Sequence, residues 1–271
     1  MNLSRRARTA LRVAAAAVLA AVYLPLLLVL VQSFNADRTL GWPVSGLTLH
    51  WWSDAWHSDG ARSALWTSVK AGLGATALAL VLGTMAAFAA QRHRFFGREA
   101  LSFALVLPIA LPGIVTGVAL NTAFRTVLQP LGVGLGLFTV VVGHATFCVV
   151  VVYNNVAARL RRTAASLEEA AMDLGADTFR TFRDVTFPMV RSALAAGALL
   201  AFALSFDEIV VTTFTAGAGV QTLPVWIFSN MSRPNQAPVV DVVAAVLVVA
   251  SVVPVYLAQR LSADSASGGR L

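Results

Sequence analysis

The chain of 271 residues is 58% hydrophobic and only 12% charged, where a soluble domain carries about a quarter charged residues, which argues against a soluble globular protein. The net charge of +7 does not point to nucleic acid, because the arginines lie in gaps between apolar runs and form no continuous patch. A single cysteine, Cys148, excludes an internal disulfide framework.

Six apolar runs, at 13–32, 64–90, 100–122, 133–153, 192–217 and 238–258, are each long enough for a hydrocarbon core that needs ~20 helical residues. Lipid offers the backbone no partners, so each run is read as a helix, and the fold class is an all-α membrane protein with six transmembrane helices. The first run follows Arg5, Arg6, Arg8 and Arg12 like a signal peptide, but it exceeds an h-region of roughly 7–15 residues and is read as an uncleaved anchor. The segment 33–63 contains Trp42, Trp51, Trp52 and Trp56, which with Trp226 suit a water–lipid boundary. In the second run Gly72, Gly74 and Gly83 allow close helix packing. Pro108, Pro112 and Gly113 should kink the third. Asn121 is suited to a hydrogen bond across helices. In the fourth, His144 and Cys148 share a helix face, and two ligands do not make a metal site, so polar packing is expected.

Arginine placement orients the chain. With the N-terminus in the cytoplasm, fifteen of the 20 basic residues fall on the inside, including Arg92, Arg94 and Arg98, the six of 154–191, and Arg260 and Arg270. The chain is then N-in and C-in: 1–12 is a cytoplasmic terminus, 13–258 one membrane domain with a cytoplasmic loop at 154–191, and 259–271 a polar tail expected to be disordered. No soluble domain, long linker or short-period repeat is visible.

The loop carries "SLEEAAMDLGADTFRTFRDVTFP", residues 166–188. Ser166 and Glu169 have capping-box spacing. Leu167, Ala170, Ala171 and Leu174 recur at helical spacing and give one apolar face. Gly175 supplies a helix stop. Asp177 or Thr178 should cap a second short helix, with Phe179, Phe182 and Val185 on its apolar side and Pro188 as its boundary. Two amphipathic helices fit either docking on another protein or lying at lipid headgroups with arginines on phosphate.

The spacing of Glu169-Ala170-Ala171, three residues, Gly175, nine residues, Val185-Thr186-Phe187-Pro188 resembles the EAA loop of bacterial ABC importer permeases, with Val185 and Phe187 at positions more often Ile and Leu. "YLPLLLVLVQSFNADR" with "GLTLHWW", "LPIALPGIVTGVAL" and "ALSFDEIVVTTFTAGAGVQTLPVWIFSNM" resemble the polyamine branch, and specifically second permease subunits of spermidine/putrescine-type importers. Relatives in this branch serve other solutes, including ferric iron and phosphonates, and an amino-acid-like cation is a further alternative cargo. The resemblance implies a cell inner membrane protein of six helices, paired with a second permease subunit in a heterodimer. It implies a cytoplasmic ABC ATPase dimer that holds ATP and Mg, with no cofactor on this chain, and a substrate-binding protein on the outer face. It also implies that the loop is the ATPase-coupling element, carried here by Glu168, Glu169, Ala170, Ala171, Asp173, Gly175 and Pro188. For Glu169 capping alone, and for Asp173 and Asp177 a solvated or capping position, are the competing readings.

A polyamine asks for carboxylates and aromatic faces. Asp207 and Glu208, at the end of the fifth run, and Asp241, at the start of the sixth, are the candidate acids, with Phe206, Phe214 and Trp226 as aromatic partners. A structural ion pair with Arg233 is the competing reading. Other function classes lack their motifs. There is no G-x-x-x-x-G-K-[ST], so any ATP hydrolysis belongs to a partner, and no H-E-x-x-H or G-x-S-x-G that would suggest an intramembrane enzyme. An ATPase-independent secondary transporter should show inverted repeats or several buried charges, and charges inside the runs are few.

Overall fold

The computed structural model describes residues 4–38, 41 and 43–251. Trp42 and the expected tail 259–271, with Arg260 and Arg270, lie outside the described residues. The described residues are helical apart from connecting turns and one isolated antiparallel bridge, Asn35 with Leu47. The long helices are α1 (Arg5–Gln32), α3 (Asp59–Arg92), α6 (Leu137–Arg161) and α9 (Phe187–Phe206). Between them lie α2 (His50–His57), α4 (Arg98–Ala110), α5 (Gly113–Ala123), α7 (Ser166–Asp173) and α8 (Thr178–Thr181), and after them α10 (Val210–Thr215), α11 (Leu223–Asn230) and α12 (Ala237–Ser251). Among the described residues, four helical stretches are long and apolar enough to cross a membrane, or five with the bent pair α4–α5 taken as one span.

The third run bends by 108° at Leu111–Pro112. Pro112 cannot donate to the α4 ladder and instead precedes the first turn of α5, so the proline acts as a break more than as a kink. The fifth run also differs from expectation. It stops at Phe206, and Asp207, Glu208 and Ile209 separate α9 from α10. The fourth is longer than its apolar run, so residues 154–161 belong to α6 and not to the loop. Of the sixth run, residues 252–258 lie outside the described residues.

The chain divides into two compact units: the stretches up to Arg62 and from Ile227 onward, and Ser63–Trp226. In the first, no residue of α1 is buried. Ten leucines and valines of α1 are exposed, Leu11 to Val31. At ~1.5–3 kcal/mol each in water, this exposure outweighs the roughly 5–15 kcal/mol that keeps a domain folded, so the solvent of α1 is lipid or another apolar surface. After α1 the chain turns back. Trp51 donates from Nε1 to the Asn35 carbonyl at 3.0 Å, Trp52 to the Ser33 carbonyl at 3.1 Å, and Phe34 stacks on Trp52 at 5.2 Å. Two of the boundary tryptophans thus close the end of α1, and Trp51 and Trp226 are buried where the sequence suggested a lipid interface.

In the second unit α6 is the central element. Val149, Val152, Val156 and Leu160 pack with Ala75, Ala79, Ala87 and Ala90 of α3 and with Val190 and Ala201 of α9. The small residues of α3 set the approach: a Cβ on Gly83 would lie 2.8 Å from the Val149 carbonyl oxygen, so only glycine fits. Gly72 faces the Phe202 ring and Gly74 faces Val141 in the same way.

Candidate functional site

The segment 166–188 folds as helix, glycine turn, helix. Its start differs from expectation: the residue before α7 is Ala165, no side chain caps it, and Ser166 is already the first helical residue. The capping box is therefore not formed. Glu168 instead reaches away from its own backbone to Arg92 at the end of α3, with Oε1 3.1 Å from Nη2 and 3.3 Å from Nε. Both side chains are less than a fifth exposed. The box glutamate, Glu169, is exposed, while its neighbour Glu168 meets a guanidinium fork 76 residues away, a strong partner for a carboxylate in a covered site.

The end of α7 is as expected. Gly175 has φ +89°, its N–H donates to the Met172 carbonyl at 2.9 Å, and the Ala176 N–H donates to that of Ala171 at 3.0 Å. This is the Schellman pattern, and it needs a left-handed residue. Asp177 then caps α8, accepting from the Arg180 N–H at 2.7 Å. Pro188 does not bound this second helix. A π-turn, Phe182–Thr186, carries α8 directly into α9, with Pro188 in its first turn. The wider turn absorbs the donor that proline lacks. Phe182 packs near Phe88 and Phe187, with centroids 6.1 and 6.3 Å away, and Thr181 and Thr186 are buried beneath.

Of the expected apolar face of α7, Leu167, Ala170 and Leu174 face outward. Leu167, Met172 and Phe179 are exposed and Leu174 is 90% exposed. Glu169, Ala170, Asp173 and Asp177 are exposed beside them, and Ala171 is half-buried. Arg183 pairs with Asp184 at 2.7 Å and holds its carboxyl below the usual carboxylate range. The two adjacent glutamates thus differ: Glu168 faces the body of the unit and Glu169 faces out.

The second candidate region is the break after α9. Asp207 is exposed there. Glu208 is half-buried, and its Oε1 accepts from the Val211 N–H at 2.9 Å, a local cap on α10. Phe206 is the last residue of α9, with its ring 5.8 Å from that of Phe202. Phe214 lies on α10 against Gly117, and its carbonyl accepts from Asn121 Nδ2. The structure gathers Phe206, Asp207 and Glu208 at the break. Trp226 is buried in α11. Asp241 is half-buried on α12 in the other unit, where Arg233 donates to Asn230 Oδ1 at 3.3 Å.

His144 and Cys148 are polar packing. Buried in α6, the His144 ring lies 2.7 Å from Ser205 Oγ and 2.8 Å from Thr212 Oγ1, and Cys148 Sγ donates to the Ala201 carbonyl at 3.3 Å. The roles of Arg92, Ser205 and Thr212 were not visible in the sequence. The only signal was a histidine in an apolar run, which must find partners.

Residues 79–267 match the family described as binding-protein-dependent transport system inner membrane component. The chain belongs to this family. It is 33% identical over 246 residues to the putrescine transport system permease protein PotI of Escherichia coli strain K12, covering 89% of this chain and 86% of that protein. It is 33% identical over 253 residues to the spermidine/putrescine transport system permease protein PotC of the same strain, covering 93% of each. A putative 2-aminoethylphosphonate transport system permease protein, PhnV of Salmonella typhi, is 33% identical over 230 residues, 83% of this chain and 86% of that protein. Among solved structures, a bacterial ABC transporter involved in the import of the acidic polysaccharide alginate matches with TM-score 0.70 at 17% identity, covering 97% of this chain and 99% of that one. The chain is thus an ABC transporter permease with that fold, a multi-pass membrane protein and a transport subunit. The membership explains why α1 leaves its apolar surface uncovered.

Proposed function

We propose that this permease is one of two membrane subunits of an ATP-driven importer of polyamines, and that α7, Gly175 and α8 form the element through which a separate ATPase acts. The observation that carries the reading is the outward face of this segment: Leu167, Met172, Leu174 and Phe179 exposed beside Glu169 and Asp173, on a helix stapled to the body by Glu168 and Arg92. An apolar face of this kind, rimmed by carboxylates, suits a protein groove with basic edges. The arginine distribution supports a cytoplasmic position for it, with both termini on that side. Six spans follow if α1, α3, α4–α5, α6, α9–α10 and α12 each cross, the last continuing beyond the described residues.

In this reading a soluble binding protein delivers substrate to the outer face. ATP held with Mg closes the ATPase pair, the loops of both permease subunits move with it, and the subunits shift between inward and outward access. Glu168–Arg92 ties the loop to α3, so displacement of α7 is passed to a membrane helix. Asp207 and Glu208, with Phe206 and Phe214, and Asp241 and Trp226 elsewhere in the chain, supply carboxylates and aromatic faces for an ammonium chain.

Polyamines are favoured as cargo by the two polyamine permeases that the chain resembles over most of its length. An aminophosphonate is the second reading, favoured by the likeness to the putative aminoethylphosphonate permease. The test is uptake of labelled putrescine and spermidine by cells with and without this gene, with its operon partners present. Loss of uptake on deletion is expected. Unchanged uptake of both, with loss of aminoethylphosphonate uptake, would replace the substrate assignment.

A further inference from the structure

We infer that His144 is a positioning residue of the substrate path: its imidazole joins the two pieces of the broken fifth run and so sets where the Asp207 carboxylate stands. The inference rests on the reading of the break as part of that path. Three residues, Asp207 to Ile209, separate α9 from α10, and such a gap would ordinarily be a hinge. Here the helix ends on both sides of the gap are tied to one side chain of a third helix. Ser205, near the end of α9, stands 2.7 Å from Nδ1, and Thr212, in α10, stands 2.8 Å from Nε2. All three side chains are buried, and the Phe147 ring, 5.6 Å away, flanks the imidazole.

A proton count assigns the direction of these bonds. The Thr212 hydroxyl has one proton, and it goes to the Glu208 carbonyl at 2.8 Å. Toward the ring it can therefore only accept, so Nε2 carries the hydrogen. A neutral imidazole then presents a lone pair at Nδ1, which accepts the Ser205 proton. The chain runs from Ser205 through His144 and Thr212 to the carbonyl of Glu208, from one rim of the break into the break itself. It needs an acceptor and a donor that point to opposite sides of one rigid side chain, which the imidazole ring offers. Asp207 sits where α9 ends, beside the negative pole of that helix, a place that favours a cation. Fixing the break fixes that pole and the carboxylate together.

The experiment uses the full transporter in proteoliposomes, with the variants His144→Asn, which can still reach Ser205, and His144→Gln, which can still reach Thr212. Thr212→Val and Thr212→Ser complete the set. Initial rates are measured with labelled spermidine, and hydrogen exchange is followed over 205–213. Each single loss is expected to raise exchange at the break and the apparent KM for spermidine by about tenfold, the effect of one lost buried hydrogen bond. Thr212→Ser should restore what Thr212→Val loses. His144→Asn combined with Asp207→Asn should raise KM no further than Asp207→Asn alone, because both act on one carboxylate. Additive effects, or a fall in maximal rate with KM unchanged, would overturn the positioning role while leaving transport intact. A wild type that takes up neither spermidine nor putrescine would overturn the substrate reading. Exchange then judges His144 alone, and an unaltered break in His144→Asn would refute the brace.

Discussion

The loop 166–188 and the break at 207–209 are both polar interruptions between apolar helices, yet they divide local and distant bonds differently. The loop makes its turn with its own bonds and is tied to α3 only through Glu168 and Arg92. Gly175 turns the chain with two bonds to carbonyls three and five residues back, and Asp177 caps the next helix three residues on. The break has one local cap, Glu208 on Val211, and its two helix ends are tied together from outside by His144 on α6, 61 residues before Ser205 and 68 before Thr212. The difference follows from solvent. The loop is exposed, so water can finish whatever its own short-range bonds leave open. The break lies among apolar helices, where each unmatched polar group is costly and must find a protein partner. A segment for docking can thus be encoded locally, whereas a gap in a spanning helix must be encoded by its neighbours.

The largest effect is expected at Gly175. An added Cβ there meets nothing within 4 Å, so packing does not forbid a side chain. The positive φ costs an ordinary residue only about 1–2 kcal/mol. Gly175→Asp should nevertheless abolish uptake and weaken ATPase association, while the permease still inserts. Unchanged uptake would remove the loop from the coupling role. Next in size is Glu168→Ala, which strands a covered Arg92 and should destabilise the second unit by about 2 kcal/mol, measured by thermal unfolding in detergent. Exchanging the pair, Arg92→Glu with Glu168→Arg, should recover part of that loss. A Glu168→Ala variant as stable as wild type would show the staple to be idle.

On the other side of the comparison, Asp207→Asn should raise the apparent KM for polyamine uptake by about tenfold without disturbing assembly, because the residue is exposed and caps nothing with its side chain. A normal uptake curve would make Asp207 structural. The smallest effect is expected at Glu208→Gln. Its Oε1 accepts from the Val211 N–H, and a glutamine oxygen does the same, so stability should stay within about 0.5 kcal/mol. A large loss of uptake in that variant would move the essential charge from Asp207 to Glu208.

What could be read from the sequence follows the same division. The glycine stop, the Asp177 cap and the outward apolar face are short-range features, and each is where the pattern put it. The capping box failed although its spacing was right, because the helix starts one residue early, at Ser166 after Ala165, which leaves Ser166 inside the helix and not at its cap. Pro188 misled for a related reason: a proline ends a helix unless a π-turn before it frees the donor it lacks, and that turn is held by Phe88 and Phe187 packing on Phe182. In the fifth run Asp207 and Glu208 mark a polar spot, but apolar residues resume at Ile209, so composition alone does not say that the helix stops at Phe206. Only the partners on α6 reveal that an interruption there is affordable.

The most direct test of the coupling role uses the chain's lone cysteine to advantage. Cys148 is buried, so a new surface thiol is the only accessible one. In membranes holding the assembled transporter, Leu174→Cys and Asp207→Cys would each be labelled with a maleimide that carries a photoreactive benzophenone, which needs no thiol on its partner, and then irradiated. The account expects an adduct with the ATPase from position 174 that changes with added ATP, and none from position 207. An ATPase adduct absent at 174, or equal at both positions, would contradict it.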